Sequence, residues 1–579
     1  MTLSVWAPSA SGVDVVVDGT GTPMVRAERG WWSAPSALGV GTRYRFSLDG
    51  GEPRADPRAL RLPAGPDGEA EVFDPSAFGW TDHGWAGVEL STAVIYEMHV
   101  GTFTAQGTFD AAVGRLDHLA SLGVDLVEVM PVASFPGRNG WGYDGVGLYA
   151  VHEPYGGPAG FQRFVDACHA RGLGVCLDVV YNHLGPSGNH LAEFGPYFTD
   201  EYHTPWGQAV NLDGPGSDEV RGFLLGNALM WLRDFHVDAL RLDAVHALYD
   251  ARAVTVLEQM SADVDALAAE VGRPLWLIAE SDRNDPATVT PRGDGGLGVH
   301  AQWADDVHHA WHVLLTGEDQ GYYADFAAST ALTKATTGIF VHDGGWSSFR
   351  ERSHGRPVDR AVTPGWRFVV SLQTHDQVGN RAVGDRLSAS LDVGQLACGA
   401  ALLLTSAGTP MLFMGEEWGA STPWQYFTDH TDPELAEAVR QGRRSEFASH
   451  GWSFEDVPDP QDPATVGRSR LHWGEVSDGD HGRLLAWYRN LIQLRRSRAD
   501  LHDGRLDRVQ AQHDHAAGTV VIRRGDDRVA VNVGAEQAEL SVGGAAQLLL
   551  AWDPESTRLD GDVLRLPPHS AAVLGPQPA

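Results

Sequence analysis

Eight short apolar runs, most of them separated by enough residues for a helix, limit the folds open to this chain more than any other feature. They are TAVIYEMHV (92–100), VDLVEVMPV (124–132), GLGVCLDVV (172–180), VDALRLDAV (237–245), LWLIAES (275–281), VHAQWADD (299–306), FVVSLQTHD (368–376) and TPMLFMGEE (409–417). Between the first two, Phe109, Val113, Leu116 and Ala120 fall on one helical face, and Gly123 is placed to end that helix. Repeated strand–helix units make parallel sheet, and eight of them predict an α/β fold with a closed (β/α)8 barrel. A doubly wound open sheet is the rival. It does not need eight strands, and no Gly-x-Gly-x-x-Gly follows the first run to supply a dinucleotide site.

The barrel does not fill the 579 residues. Residues 1–86 read as a small β-sandwich, with Val13, Val15 and Val17 alternating with other residues between Gly- and Pro-rich turns. Residues 87–500 hold the barrel, closed by a helix bearing Leu484, Trp487, Tyr488, Leu491 and Leu494. The stretch after the third run (about 183–215) is too long and loop-like for a simple connection and reads as an excursion over the barrel mouth. Residues 501–579, with runs such as TVVIRR, VAVNV, AELSV, QLLLAW and VLRLP, read as a C-terminal all-β domain.

Three carboxylates, Asp243, Glu280 and Asp376, stand toward the downstream ends of their runs. Strand alternation puts Ala239, Arg241 and Asp243 on one face. In a parallel barrel both faces should be apolar, so an inward Arg and Asp are costly unless they pair or open to a cleft at the C-terminal end, where barrel enzymes keep their chemistry. Arg241 beside Asp243 favours an ionised carboxylate, whereas Glu280, after Trp276–Ala279, is expected in an apolar setting that raises its pKa. A nucleophile that stays ionised and an acid that stays protonated are what hydrolysis of a sugar–sugar bond requires. Strand-end capping or buried ion pairing is the plainer account of each residue taken singly.

Composition excludes more than it assigns. With 43 basic and 76 acidic residues the net charge of −33 disfavours nucleic acid and anionic membrane as partners. Lys334 is the only lysine, and its surroundings lack the glycines of a phosphate loop; Schiff-base chemistry would have to run through it alone. Cys168, Cys176 and Cys398 sit in apolar settings and read as packing residues, not a disulfide framework. The longest apolar stretch, 398–415, is broken by Thr, Ser, Gly and Pro, and MTLSVWAPSA is unlike a signal peptide, so a cytoplasmic protein is expected, as monomer or homodimer.

Four short motifs, DVVYNH (178–183), LRLDAVH (240–246), AESD (279–282) and LQTHDQ (372–377), resemble those of the α-amylase superfamily, glycoside hydrolase family 13, in order and at the ends of candidate strands three, four, five and seven. The resemblance implies Asp243 as nucleophile, Glu280 as general acid/base and Asp376 as transition-state stabiliser. It also implies sugar contacts from Tyr143, Asp144, His183, Arg241, His246, His375 and Gln377, and support from Asp178, bonded to the arginine, and Asn182. The front sandwich resembles the N-terminal module of isoamylases and branching enzymes. Segments 302–310, 415–430 and 457–471 resemble the maltooligosyltrehalose trehalohydrolases, a family that cleaves the α-1,4 bond next to the terminal trehalose of a maltooligosyl trehalose. That resemblance places substrate near Trp303, Asp305, Asp306, His308 and His309, with Trp141, Trp424 and Tyr426 among candidate sugar-stacking rings.

His308 and His312 at i, i+4 spacing invite a zinc reading, but a third convergent ligand and the usual glutamate beside the first histidine are not evident. Asn182 matches a calcium-ligand position in many amylases, yet the excursion carries no obvious carboxylate cage. No metal or cofactor is expected. Two other functions stay open: a glycogen branching enzyme using the same carboxylates, and a carbohydrate-binding barrel without catalysis, which ordinarily would have lost part of the carboxylate set.

Overall fold

The computed structural model describes residues 2–448, 457–543 and 546–576. Eight strands, one within each apolar run, are all parallel and close into a barrel: β1 Ile95–Met98, β2 Leu126–Val129, β3 Gly174–Val179, β4 Ala239–Leu242, β5 Trp276–Ala279, β6 Ala301–Trp303, β7 Phe368–Ser371 and β8 Thr409–Phe413. Helices wrap the outside, among them α1 Leu116–Leu122, α2 Gly157–His169, α3 Ser217–Asp234, α4 Val256–Val271, α5 Asp305–Thr316, α6 Val393–Leu404 and α7 Gly479–Ser497.

The barrel interior explains where chemistry can sit. Each strand contributes one residue to an apolar floor: Ile95, Leu126, Cys176, Ala239, Ile278, Ala301, Val369 and Met411. Two positions further along, on the same face, stand Glu97, Glu128, Asp178, Arg241 and Glu280, with Trp303, Ser371 and Phe413 on the other strands. The floor is an ordinary hydrophobic core. Above it the barrel becomes ionic toward its C-terminal mouth.

The expected single helix after β1 is two. Phe109–Val113 stops at Gly114, and α1 starts after Arg115, so Phe109 and Leu116 are both buried but on separate pieces. Gly123 ends α1 in the left-handed conformation at φ 101°, where an added Cβ would lie 2.7 Å from Ile492 of α7. The excursion after β3 contains a hairpin, Phe198–Thr204 with Gly207–Val210, whose turn carries Trp206.

In front of the barrel lie a four-stranded and a three-stranded antiparallel sheet. They grip the excursion and α3: Trp6 packs edge-on against Tyr197 at 5.4 Å, and Trp31 Nε1 donates to Glu219 at 3.0 Å. At the C-terminal end a five-stranded sheet faces a three-stranded one, and the strands include Thr519–Arg524, Asp527–Asn532, Ala538–Ser541, Ala546–Ala551 and Val563–Leu566. The cysteines are free and buried, and no helix among the described residues is long and apolar enough to cross a membrane.

Candidate active site

Arg241 organises the mouth. Fully buried, it reaches from β4 with Nη1 2.7 Å from Asp243 Oδ1 and 3.0 and 2.9 Å from the two oxygens of Asp178, while Nη2 lies 3.0 Å from Glu280 Oε2. Three carboxylates from three adjacent strands thus surround one guanidinium, whose planar fork suits more than one carboxylate at once. Its carbon sits 4.4 Å over the Trp303 ring. Trp303 is therefore a buried platform for the arginine and not a ring presented at the rim.

Asp243 is further fixed by Asn182, whose Nδ2 donates to its Oδ2 at 2.7 Å and to its carbonyl at 2.9 Å. Immediately after it, Ala244 adopts φ 41°, ψ 51°, a conformation that a Cβ-bearing residue seldom takes. That twist aims the Ala244 N–H at Glu280 Oε2, 2.8 Å away. Glu280 consequently has a more polar setting than Trp276–Ala279 suggested, with a cation and an amide on the same oxygen. Asp376, at the start of the short helix His375–Gly379, is the most open of the three; Asn380 Nδ2 donates to it at 3.1 Å.

A second line of contacts joins β1 to this group. His375 Nδ1 is 2.5 Å and its backbone N–H 2.9 Å from the Glu97 carboxylate, and Nε2 is 2.8 Å from the Tyr143 hydroxyl. That hydroxyl donates to Asp178 Oδ2 at 2.6 Å. Burial opposes charge on the His375 ring, but Glu97 and Asp376 outweigh it and raise the pKa to about 9. Burial pushes Asp178 up to about 7 against the pull of Arg241. Glu97 and Glu128 are paired across β1 and β2; burial, then the Glu97 charge, hold Glu128 far above the usual carboxylate range. Neither glutamate was marked by the sequence reading.

His183 contacts Asn182 Oδ1 at 2.6 Å and the Tyr143 carbonyl at 3.0 Å, and burial lowers its pKa. Trp206, half-exposed, lies flat on this imidazole with ring centres 4.7 Å apart. Asp144 faces solvent near His430, and His246 Nδ1 accepts the Asp282 N–H at 3.2 Å. Gln377 is partly exposed on the same short helix as Asp376.

Several expected sugar contacts are turned elsewhere. Asp306 Oδ2 accepts from the N–H groups of Val341 and His342 and from Asn284 Nδ2 at 2.7–2.9 Å, tying down the loop after Ala331–Gly338. His308 is buried against His312 and His309, and His309 packs among Tyr322, Tyr323 and Phe326. The helical spacing of α5 carries these side chains past the cleft into its own packing; Asp305 stays exposed. Trp424 is core: it stacks on Trp141 at 4.5 Å and its Nε1 donates to Thr102. Among the described residues no group of three or more His, Cys, Asp or Glu side chains is disposed to hold a metal ion.

Comparison with known proteins agrees with this architecture. Residues 75–203 match the α-amylase catalytic domain, and residues 504–573 match a domain of unknown function, DUF3459. The chain is 57% identical to the malto-oligosyltrehalose trehalohydrolase of Arthrobacter ramosus over 91% of this chain and 92% of that protein. It is 50% identical to the one from Mycobacterium tuberculosis over 98% of each. A Salmonella typhimurium crystal structure, provisionally named an alpha amylase, superposes with a TM-score of 0.91 at 37% identity over 99% of this chain and 97% of that one. Barrel, carboxylate set and near-full-length identity converge: this chain belongs to the malto-oligosyltrehalose trehalohydrolase family of the α-amylase superfamily.

Proposed function

We propose that the protein is a retaining glycosidase that cleaves the α-1,4 bond next to the terminal trehalose of a maltooligosyl trehalose, releasing trehalose and a maltooligosaccharide. The observation that carries the reaction type is the arginine fork, with Asp243 on one nitrogen of Arg241 and Glu280 on the other. A shared guanidinium keeps the two carboxylates near one another, in keeping with the separation of about 5–5.5 Å in retaining enzymes. In this reading Asp243 attacks the anomeric carbon and the C–O bond to trehalose breaks. Glu280 protonates the departing 4-oxygen, then takes a proton from the water that hydrolyses the glycosyl-enzyme. Asp376 faces the charge that develops on the sugar, and Tyr143, His183, Arg241 and His375 hold that ring.

The choice of substrate is supported by the names of the relatives, which match 86–98% of this chain. Trp206, stacked on His183 at the mouth, offers a further ring surface for sugar. We place the reaction in the cytoplasm, in keeping with three free, buried cysteines. A branching enzyme 30% identical over 76% of this chain represents the rival outcome, in which a glucan hydroxyl intercepts the intermediate. Incubation with maltotriosyl trehalose separates them: trehalose plus maltotriose is expected, whereas intact substrate together with new branches on amylose would reject the proposal.

A further inference from the structure

We propose that Glu97 is a positioning residue that keeps His375 an imidazolium, so that a one-way chain of hydrogen bonds runs from the ring through Tyr143 to Asp178 and the arginine fork. The inference deepens the reading of the cleft as the cleavage site and rests on it.

The argument is a count of protons. Tyr143 has one hydroxyl proton and two short contacts, 2.6 Å to Asp178 Oδ2 and 2.8 Å to His375 Nε2. Both oxygens of Asp178 lie 2.9–3.0 Å from Arg241 Nη1, the arrangement of a carboxylate that accepts. The hydroxyl proton therefore goes to Asp178, and Nε2 must donate to the hydroxyl oxygen. Nδ1, 2.5 Å from Glu97 Oε1, must donate as well. A ring that donates from both nitrogens is the imidazolium. A neutral ring would set two lone pairs against each other at one of these contacts, unless Asp178 were protonated and the chain ran backwards.

The groups facing the ring decide which state holds. β1 contributes Glu97, the residue just after it His99, β2 Glu128, β3 Asp178, β4 Arg241, the loop after β2 Tyr143, and the ring's own helix Asp376. Burial lowers His99 to about 3, leaving it neutral, and pushes Glu128 well above the usual carboxylate range. Arg241 opposes the imidazolium. Asp376 favours it but is 3.5 Å from Nε2 and partly exposed, so its charge is the more screened. Glu97, itself buried, is the carboxylate in direct contact, and it binds both the ring and the backbone N–H of His375. Loss of the ring proton would return the Tyr143 proton to Nε2, take a donor from Asp178 and loosen the hold on Arg241.

The test is Glu97→Gln, which keeps shape and an acceptor but removes the charge, with Glu97→Asp as the variant that retains it. For Glu97→Gln, kcat/KM on maltotriosyl trehalose is expected to be about 10–100-fold below wild type at pH 8 and much closer to wild type at pH 5.5, where His375 regains its proton and the protonation of Asp178 is common to both enzymes; Glu97→Asp recovers part of the rate at pH 8. In ¹⁵N-histidine-labelled full-length enzyme without substrate, the His375 ring, identified by its loss in His375→Asn, should show the imidazolium pattern at pH 7.5 and the neutral pattern in Glu97→Gln. A neutral wild-type ring at pH 7.5, or an equal loss at every pH in a folded Glu97→Gln protein, overturns the proposal. If Glu97→Gln does not fold, the wild-type ring decides alone. Because that measurement uses no sugar, its failure is separate from any failure of the substrate assignment.

Discussion

Arg241 costs several kcal/mol to bury, and only the carboxylates around it offset that cost. Removing the arginine would leave Asp178, Asp243 and Glu280 uncompensated, so it tests folding more than chemistry. Asp243→Asn is the cleaner change. It preserves shape and the Asn182 contact, and turnover is expected to fall by several orders of magnitude with an unchanged circular dichroism spectrum. Near-normal turnover would remove Asp243 from the mechanism. Tyr143→Phe deletes one hydroxyl that joins His375 to Asp178; kcat/KM should drop about 10–100-fold, measured on the same substrate, with little change in melting temperature. Arg241 and Asp243 were legible in the sequence because charges on the inner face of a barrel strand demand a reason. Glu97 in IYEM and Glu128 in LVEV carried the same signal. They escaped notice because they lie in mid-run, and alternation alone does not tell a cleft-facing charge from one that stays inside the barrel.

Secondary structure positions these side chains through a few local devices. The left-handed turn at Ala244 delivers an N–H to Glu280, and nothing in the residue type announces it, since alanine has no preference for that conformation. Asp306 shows the converse. The family resemblance placed substrate near it, but helix periodicity cannot say which face looks on the cleft, and the carboxylate holds the Val341–His342 loop. Asp306→Ala should leave two N–H groups and an amide without their acceptor, costing about 1–3 kcal/mol, with faster hydrogen exchange at Val341 and His342 by mass spectrometry. Unchanged exchange there would show that the loop is held by other contacts. The eight strands were all readable because buried parallel strands give continuous apolar runs; the break at Gly114 was not, because Phe109 and Leu116 keep helical spacing across it.

For the whole molecule, the buried ionic mouth couples stability to pH. His375 has its folded pKa raised to about 9 and Asp178 to about 7, each a balance of burial against neighbouring charge; Glu416, buried just after β8, is raised to about 8 by burial against hydrogen bonds from Phe413 N–H, Tyr488 and Gln373. A raised folded pKa gives stability that is present below the unfolded value and lost as pH rises through the folded one. Above the ordinary histidine value of about 6.5 all three act in the same direction. Melting temperature should therefore fall between pH 6.5 and 9, less steeply in Glu97→Gln; a flat profile across that window would contradict the assigned shifts. The order of sandwich, barrel and C-terminal β-domain was visible in the changing rhythm of the sequence, whereas the contacts of Trp6 and Trp31 with the barrel's excursion and α3 depend on long-range docking. The central claim is retaining hydrolysis at the trehalose end, and ¹H NMR of maltotriosyl trehalose at early times tests it most directly. The account predicts free trehalose with maltotriose appearing first as its α-anomer; maltotriose appearing first as the β-anomer, or maltotriosyl trehalose left uncut, would contradict it.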